Sequence, residues 1–271
     1  MTFLNVSTAI IPYGQPWIRP EKAKRLSLPI ESLSTLPGYI LFNKRANSTR
    51  AVFWLVSNCH SVSRREKAME ELAKYIPVEM VGQCAKNESM KNACGPSHGT
   101  GLGGPECMAL FNSYPFFVAA ENSLCRDYIT EKYWARYNLD SVPIVMRRDV
   151  YEGRLPDGSF IAMSDFEGPQ ALAEYLHYLM KTPAAYMRYF DWRRQGWARA
   201  SNNTPGHYTG LCRLCEVLIN EEHRELRPIE DIGEWYRRES ACDDGSFVEK
   251  WLTRRRNGTV GMRANVFNLG I

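Results

Sequence analysis

The sequence contains no run of about 18 or more apolar residues, the length a membrane-spanning helix needs. The residues after Met1 do not show the basic stretch and short apolar core of a secretory signal peptide. An excess of one charge is also lacking. The 34 Lys and Arg residues against 30 Asp and Glu leave a net charge of +4. The basic residues are scattered, which argues against a nucleic-acid face but permits a local anion pocket. Histidine is scarce: residues 60, 98, 177, 207 and 223 show no metal-ligand spacing. No internal repeat is visible, and no Ser/His/Asp or Cys/His order points to a nucleophile. The single C-x-x-C, Cys212 and Cys215, lacks the second pair a zinc ribbon requires. It also comes too late in the chain for a thioredoxin-type site. It reads as a source of structural disulfides, to each other or to distant cysteines.

The composition is that of a folded protein. Of 271 residues, 44% are hydrophobic and 24% charged, enough for one large domain or two small ones. Eight cysteines, an even number, suit disulfides. N-x-S/T sequons occur at Asn5, Asn47, Asn87, Asn202 and Asn257. Together they favour an oxidising, secretory-pathway compartment.

Residues 1–50 are interrupted by Pro12, Pro16, Pro20, Pro29 and Pro37 and carry no core pattern of their own. From Ala51 the pattern changes. AVFWLVS is a continuous apolar run, as in a strand buried on both faces. Ser63 and Glu66 are spaced as a capping box for a following helix with Ala68, Leu72 and Ile76 on one side. IPVEMV reads as a second strand, completing a right-handed β-α-β unit. Residues 82–113 are polar and read as a long loop. PFFVAA, VPIVM and SFIAM read as further strands, ITEKYWARY as a helix, and residues 167–181 as an amphipathic helix. Another helix is expected from Pro183 through YFDWRRQGWARA. Beyond residue 201 the chain reads as irregular apart from LCRLCEVLI and EDIGEWYRR. The alternation predicts an α/β domain over 51–200 with a mostly parallel sheet.

Three constellations could carry chemistry. Gly99, Gly101 and Gly104 match G-x-G-x-x-G, but no strand precedes them, so a mobile polar loop is the better reading. Arg64 and Arg65 open the helix after the first buried strand. They are either a solvated face or a phosphate clamp at the carboxyl edge of the sheet. Tyr128, Glu131 and Lys132, spaced i, i+3 and i+4, would share one helical face. There they would offer a hydroxyl, an acceptor for sugar hydroxyls and a cation for phosphate. The alternative is a commonplace surface Glu/Lys pair.

The segment AENSLCRDYITEKYW followed by VPIVM resembles the signature of the α1,3/4-fucosyltransferases, glycosyltransferase family 10, which runs F-E-N-S, D-Y-I-T-E-K, V-P-V-V. PDGSFIAMSDFEGPQALAEYLHYL resembles the family's downstream segment and helix. WLVSNCHSVSRREKAMEELAKYIPVEMVGQC resembles its upstream block, and IIPYG its V-P-Y-G. YFDWR and the late C-x-x-C also fit. The likeness runs in consistent order from about residue 10 to residue 240. Ala120 stands where the family has Phe before E-N-S, and RRDVYEGRL is shorter and more basic than usual.

The resemblance implies a GT-B fold: two Rossmann-like domains facing a cleft, the C-terminal one holding GDP-fucose. On that basis residues 1–50 are a remnant of the acceptor domain and interdomain linker, with most of that domain missing. Residues 51–200 are the Rossmann-like donor domain, and 201–271 are an irregular cysteine-containing segment. The implied reaction is inverting α1,3-transfer of L-fucose from GDP-fucose to an N-acetylglucosamine of a glycoprotein glycan, either the N-glycan core or a Lewis-type antenna. The alternative is an inactive donor-domain fragment that binds GDP-fucose or a protein partner. Arg65 and Lys132 would meet the diphosphate, assisted by Tyr128. Glu131 would bond ribose or fucose hydroxyls or steady the positive charge developing on the sugar. Glu121 and Asn122 would shape the pocket. The general base would lie outside this chain. No metal site is expected, in keeping with the absence of a D-x-D pattern, although a divalent cation such as Mn2+ could stimulate. The parent protein would be a type II single-pass protein on the lumenal side of Golgi cisternae, with an N-terminal anchor absent from this chain. Cysteines of the missing region would normally pair with the C-x-x-C, so Cys212 and Cys215 would lack partners.

Overall fold

The computed structural model describes residues 1–30, 50–95, 104–200, 210–222 and 228–253. Its centre is a sheet of five parallel strands: β2 (Val52–Leu55), β3 (Val78–Val81), β4 (Phe116–Val118), β5 (Val142–Val145) and β6 (Ile161–Ala162). The strand order is β3-β2-β4-β5-β6. β1 (Trp17–Ile18) pairs antiparallel with β7 (Ala198–Arg199), tying the lead-in segment to the end of the α/β region.

Among the described residues the helices are α1 (Pro20–Arg25), α2 (Arg65–Leu72), α3 (Glu88–Lys91), α4 (Pro105–Ser113), α5 (Glu131–Trp134), α6 (Arg148–Tyr151), α7 (Pro169–Lys181), α8 (Pro183–Met187), α9 (Gly210–Ile219), α10 (Ile232–Ser240) and α11 (Ser246–Thr253). Successive strand residues point to opposite faces. Val52, Trp54, Phe116, Val142 and Ile144 therefore pack with Ala68 and Leu72 of α2 and with Leu172, Leu176 and Leu179 of α7. Phe53, Phe117 and Val145 pack on the other face with Phe111 of α4, Tyr133 of α5 and Tyr151 of α6. Strands buried on both faces explain the continuous apolar runs. The result is the expected α/β, Rossmann-like arrangement. Among the described residues no helix is long and apolar enough to cross a membrane.

The local expectations needed several corrections. The polar stretch 82–113 contains α3 and α4; α4 begins at Pro105 after Gly104, a pairing suited to a helix start. Of the glycine motif, Gly99 and Gly101 lie outside the described residues. The helix at Pro183 lasts five residues and tightens into a 3-10 helix over Arg188–Arg194. The C-terminal segment is more helical than expected, with α11 added to α9 and α10.

The capping box is shifted. Ser63 Oγ donates to the Glu121 carbonyl at 2.7 Å instead of capping α2. Glu66 instead accepts from Ser61 N at 3.3 Å and Ser61 Oγ at 2.9 Å. Arg64 adopts a left-handed conformation (φ 56°), so α2 begins one residue later.

Disulfides join Cys59 to Cys84, Cys94 to Cys107 and Cys125 to Cys242. Each fastens a segment that follows β2, β3 or β4. Cys212 and Cys215 are free and exposed on α9, contrary to a structural disulfide between them.

Candidate functional site: the carboxyl edge between β2 and β4

In an open parallel sheet the ligand crevice lies outside the carboxyl ends of the strands where the order reverses. Here the order reverses between β2, whose chain crosses to β3, and β4 on its other side. The loops after these two strands are knitted together. Ser63 N donates to the Asn122 carbonyl at 2.9 Å, beside the Ser63 hydroxyl bond to Glu121. The Arg65 guanidinium donates to the Ala120 carbonyl at 2.5 Å and to the Asn58 carbonyl at 3.3 Å, with its charge over the Trp54 ring. Burial lowers the pKa of this arginine, while Glu121 and Glu66 oppose the shift. Arg65 is therefore the strut that sets the spacing of the two loops, and Arg64 turns outward to an ion pair with Glu249.

The post-β4 loop then builds a charged cluster. Glu121 is 1% exposed and accepts from Thr130 N at 2.8 Å, Thr130 Oγ1 at 2.7 Å and Lys132 Nζ at 2.9 Å. Burial raises its pKa, opposed by Lys132 and the Thr130 bonds. Lys132 Nζ also lies 3.0 Å from Glu131 Oε1 and 2.8 Å from Thr130 Oγ1. For Glu131, burial pushes the pKa up, but Lys132 and the hydrogen bonds together outweigh it and the net shift is downward. The Glu131 side chain is 44% exposed, so this carboxylate is held ionised and accessible.

Lys132 and Glu131 line a cavity of about 190 Å3 with Ser57, Gly82, Lys91 and Arg136. It lies at the ends of β2, β3 and β4. That volume is smaller than the roughly 300 to 1,000 Å3 of sites enclosing a whole small molecule. It has room for a phosphate-bearing portion of a larger ligand. Arg136 donates to the Glu131 carbonyl at 3.0 Å and stacks over Phe111; burial lowers its pKa to about 10.

Not all the expected site residues converge. Glu121, Glu131 and Lys132 form one hydrogen-bonded group. Arg65 and Asn122 hold the loops beside it and do not line the cavity. The Asn122 side-chain oxygen is buried without a hydrogen-bond partner. Tyr128 does not share a helical face with Glu131 and Lys132, because α5 starts at Glu131 after Thr130. The preceding Asp127 is left-handed (φ 63°), and Tyr128 turns into a ring cluster with Phe3 and Tyr13 at centroid distances of 5.1 and 5.6 Å. Burial, then Tyr13 and Glu121, raise the pKa of its hydroxyl. Lys91 and Arg136 escaped the sequence reading. Arg136 could have been found, since it follows Lys132 by four residues. Lys91 sits in a stretch with no apolar period to place it.

Among the described residues no three His, Cys, Asp or Glu side chains are grouped to hold a metal ion.

Residues 45–235 match the family described as Glycosyltransferase family 10 (fucosyltransferase) C-term. Glycoprotein 3-alpha-L-fucosyltransferase A of Drosophila melanogaster is 35% identical over 210 residues, 76% of this chain and 38% of the relative. Alpha-(1,3)-fucosyltransferase fut-1 of Caenorhabditis elegans is 32% identical over 206 residues, 72% of this chain and 44% of the relative. The chain thus spans less than half the length of these two curated relatives. A crystal structure of an alpha1,3-fucosyltransferase with GDP-fucose superposes with a TM-score of 0.44 and 18% identity, covering 69% of this chain and 51% of that one. On the extent of the family match, this chain belongs to glycosyltransferase family 10, the fucosyltransferase family.

Proposed function

We propose that this chain is the donor-binding part of an inverting α1,3-fucosyltransferase that takes L-fucose from GDP-fucose to an N-acetylglucosamine of a glycoprotein or oligosaccharide glycan. The observation that carries this reading is the Lys132–Glu131–Glu121 cluster at the strand-order reversal, inside the segment that matches the family.

The chemistry follows from charge. The acceptor hydroxyl bonds to fucose C1 as the bond from C1 to the β-phosphate oxygen breaks, and GDP leaves with the electron pair. Charge accumulates on the diphosphate while the sugar becomes oxocarbenium-like. Lys132 Nζ, held at the cavity wall, stabilises the leaving phosphate. Such a contact contributes roughly 2–4 kcal/mol in the transition state. Arg65 acts through the loop spacing it sets, and Glu121 through Lys132. Glu131, ionised and half-exposed, suits the ribose or fucose hydroxyls or the sugar's developing positive charge. Tyr128 borders the site from the aromatic cluster, and Asn122 shapes the adjoining turn. Inversion requires a base at the acceptor hydroxyl, supplied by a region outside this chain.

We place the parent protein on the lumenal side of Golgi cisternae, where the three disulfides would persist. The second reading is a donor-domain form that binds GDP-fucose without transferring it. A transfer assay with GDP-fucose and defined glycans separates the two. Fucosylated product supports the enzyme, and GDP-fucose binding without product supports the binding form. Activity that survives EDTA at least in part fits cationic side chains holding the diphosphate; complete loss reversed by added metal would contradict that.

A further inference from the structure

We infer that Lys91 is a further cationic ligand of the diphosphate, reaching the cavity from the opposite wall to Lys132; this rests on the donor-binding reading above.

The wall that carries Lys91 is built rather than incidental. After β3 the chain turns at Gly82 (φ 97°), where an added Cβ would meet the Val56 carbonyl at 2.6 Å. Only glycine lets the turn approach the end of β2 this closely. Gly82 N donates to the Met90 carbonyl at 3.1 Å, which fixes α3 against that turn. Asn87 caps α3 by accepting from Ser89 N at 3.1 Å. The Cys59–Cys84 and Cys94–Cys107 disulfides clamp the segment on both sides. A polar stretch without a core of its own is thereby held in one place, with Lys91 in the cavity lining.

The charges around that lining favour an anion. Lys91, Lys132 and Arg136 line it, and among the described lining residues Glu131 is the one acid. Lys91 pairs with Glu88 at 2.7 Å, but Glu88 is 78% exposed. Exposed i, i+3 pairs are weak, so Lys91 can exchange this partner for a phosphate at little cost. Lys132 is held on the α5 side by two carboxylates. An anion between the two walls would thus meet one lysine from each.

The test is calorimetric titration of the 271-residue chain with GDP and, separately, with inorganic pyrophosphate. Wild type, Lys91→Gln, Lys91→Arg and Lys132→Gln are compared, with thermal melts as a control. The expected result is a roughly tenfold weaker affinity of Lys91→Gln for both ligands, largely restored in Lys91→Arg, with an unchanged melting temperature. Wild-type affinity in Lys91→Gln alongside a loss in Lys132→Gln would overturn the role of Lys91 and leave the donor site standing. Pyrophosphate binding that depends on Lys91, with no preference for GDP, would support Lys91 and contradict the nucleotide reading. Absence of binding to either ligand in the wild type would overturn both.

Discussion

Lys132 Nζ sits 2.9 Å from Glu121 Oε2, a carboxylate 1% exposed that also takes both hydrogen bonds Thr130 can give it. The lysine is therefore anchored from behind, and its position depends on a residue that does not line the cavity. Breaking a buried pair from one side leaves the other charge uncompensated. Glu131 gives Lys132 a second partner and softens the loss. Glu121→Gln should lower unfolding free energy by about 2–4 kcal/mol, read by urea denaturation, and should weaken GDP binding as well.

The same residue sets a pH dependence. Burial raises the Glu121 pKa above the ordinary carboxyl value of 4.5. Between that value and the raised one, the folded protein binds more protons at this site than the unfolded chain does. Its contribution to stability is therefore fully present below the unfolded pKa and is lost as pH rises through the folded one. Glu131 has the opposite sign: its lowered pKa gives stability above the ordinary value that is lost as pH falls through the lowered one. Melting temperature followed from pH 4 upward should show a smaller decline with rising pH in Glu121→Gln than in wild type.

Arg65→Ala should act on fold and site together. It removes the donors to Ala120 and Asn58 and leaves the buried Ala120 carbonyl short of a partner. The expected cost is about 2–4 kcal/mol of stability, with weaker GDP binding because the loops lose their spacing. Arg65→Lys cannot span both carbonyls and should recover only part of either.

The division between what was legible and what was not follows the physics of the segments. β2, β4 and β5 announced themselves because strands covered on both faces must be apolar throughout. Glu131 and Lys132 could be placed because a helix start follows a strand there. The roles of Ser63 and Arg65 could not, because each bonds to a loop more than 50 residues away in sequence. Tyr128 was misplaced by a single left-handed residue, Asp127, which no periodicity reveals. Cys59, Cys84, Cys94 and Cys107 gave a disulfide-rich composition, but their pairing is a property of the folded turn.

Gly14 makes a separate test of the lead-in segment. A Cβ at this position would clash with the ring of Trp134, whose indole N–H donates to the Ile129 carbonyl at 2.9 Å. Gly14→Ala must displace the ring or the segment, at a cost of about 1–3 kcal/mol. Because Trp134 ends α5, a shifted tryptophan fluorescence spectrum and reduced GDP affinity should accompany the lower melting temperature.

Removing the Cys94–Cys107 bridge should loosen the wall that carries Lys91. The Cys94→Ser/Cys107→Ser double variant is expected to lose about 2–3 kcal/mol of stability. Faster hydrogen exchange over residues 82–95 should mark where the loss falls, and the central sheet should keep its protection.

The most direct test of the donor site is GDP binding by wild type and Lys132→Ala, measured by isothermal titration calorimetry under conditions where both are folded. Loss of one charge-assisted phosphate contact should weaken binding roughly ten- to a hundredfold. Equal affinity in wild type, Lys132→Ala and Arg65→Ala would contradict the assignment of this edge of the sheet as the diphosphate site.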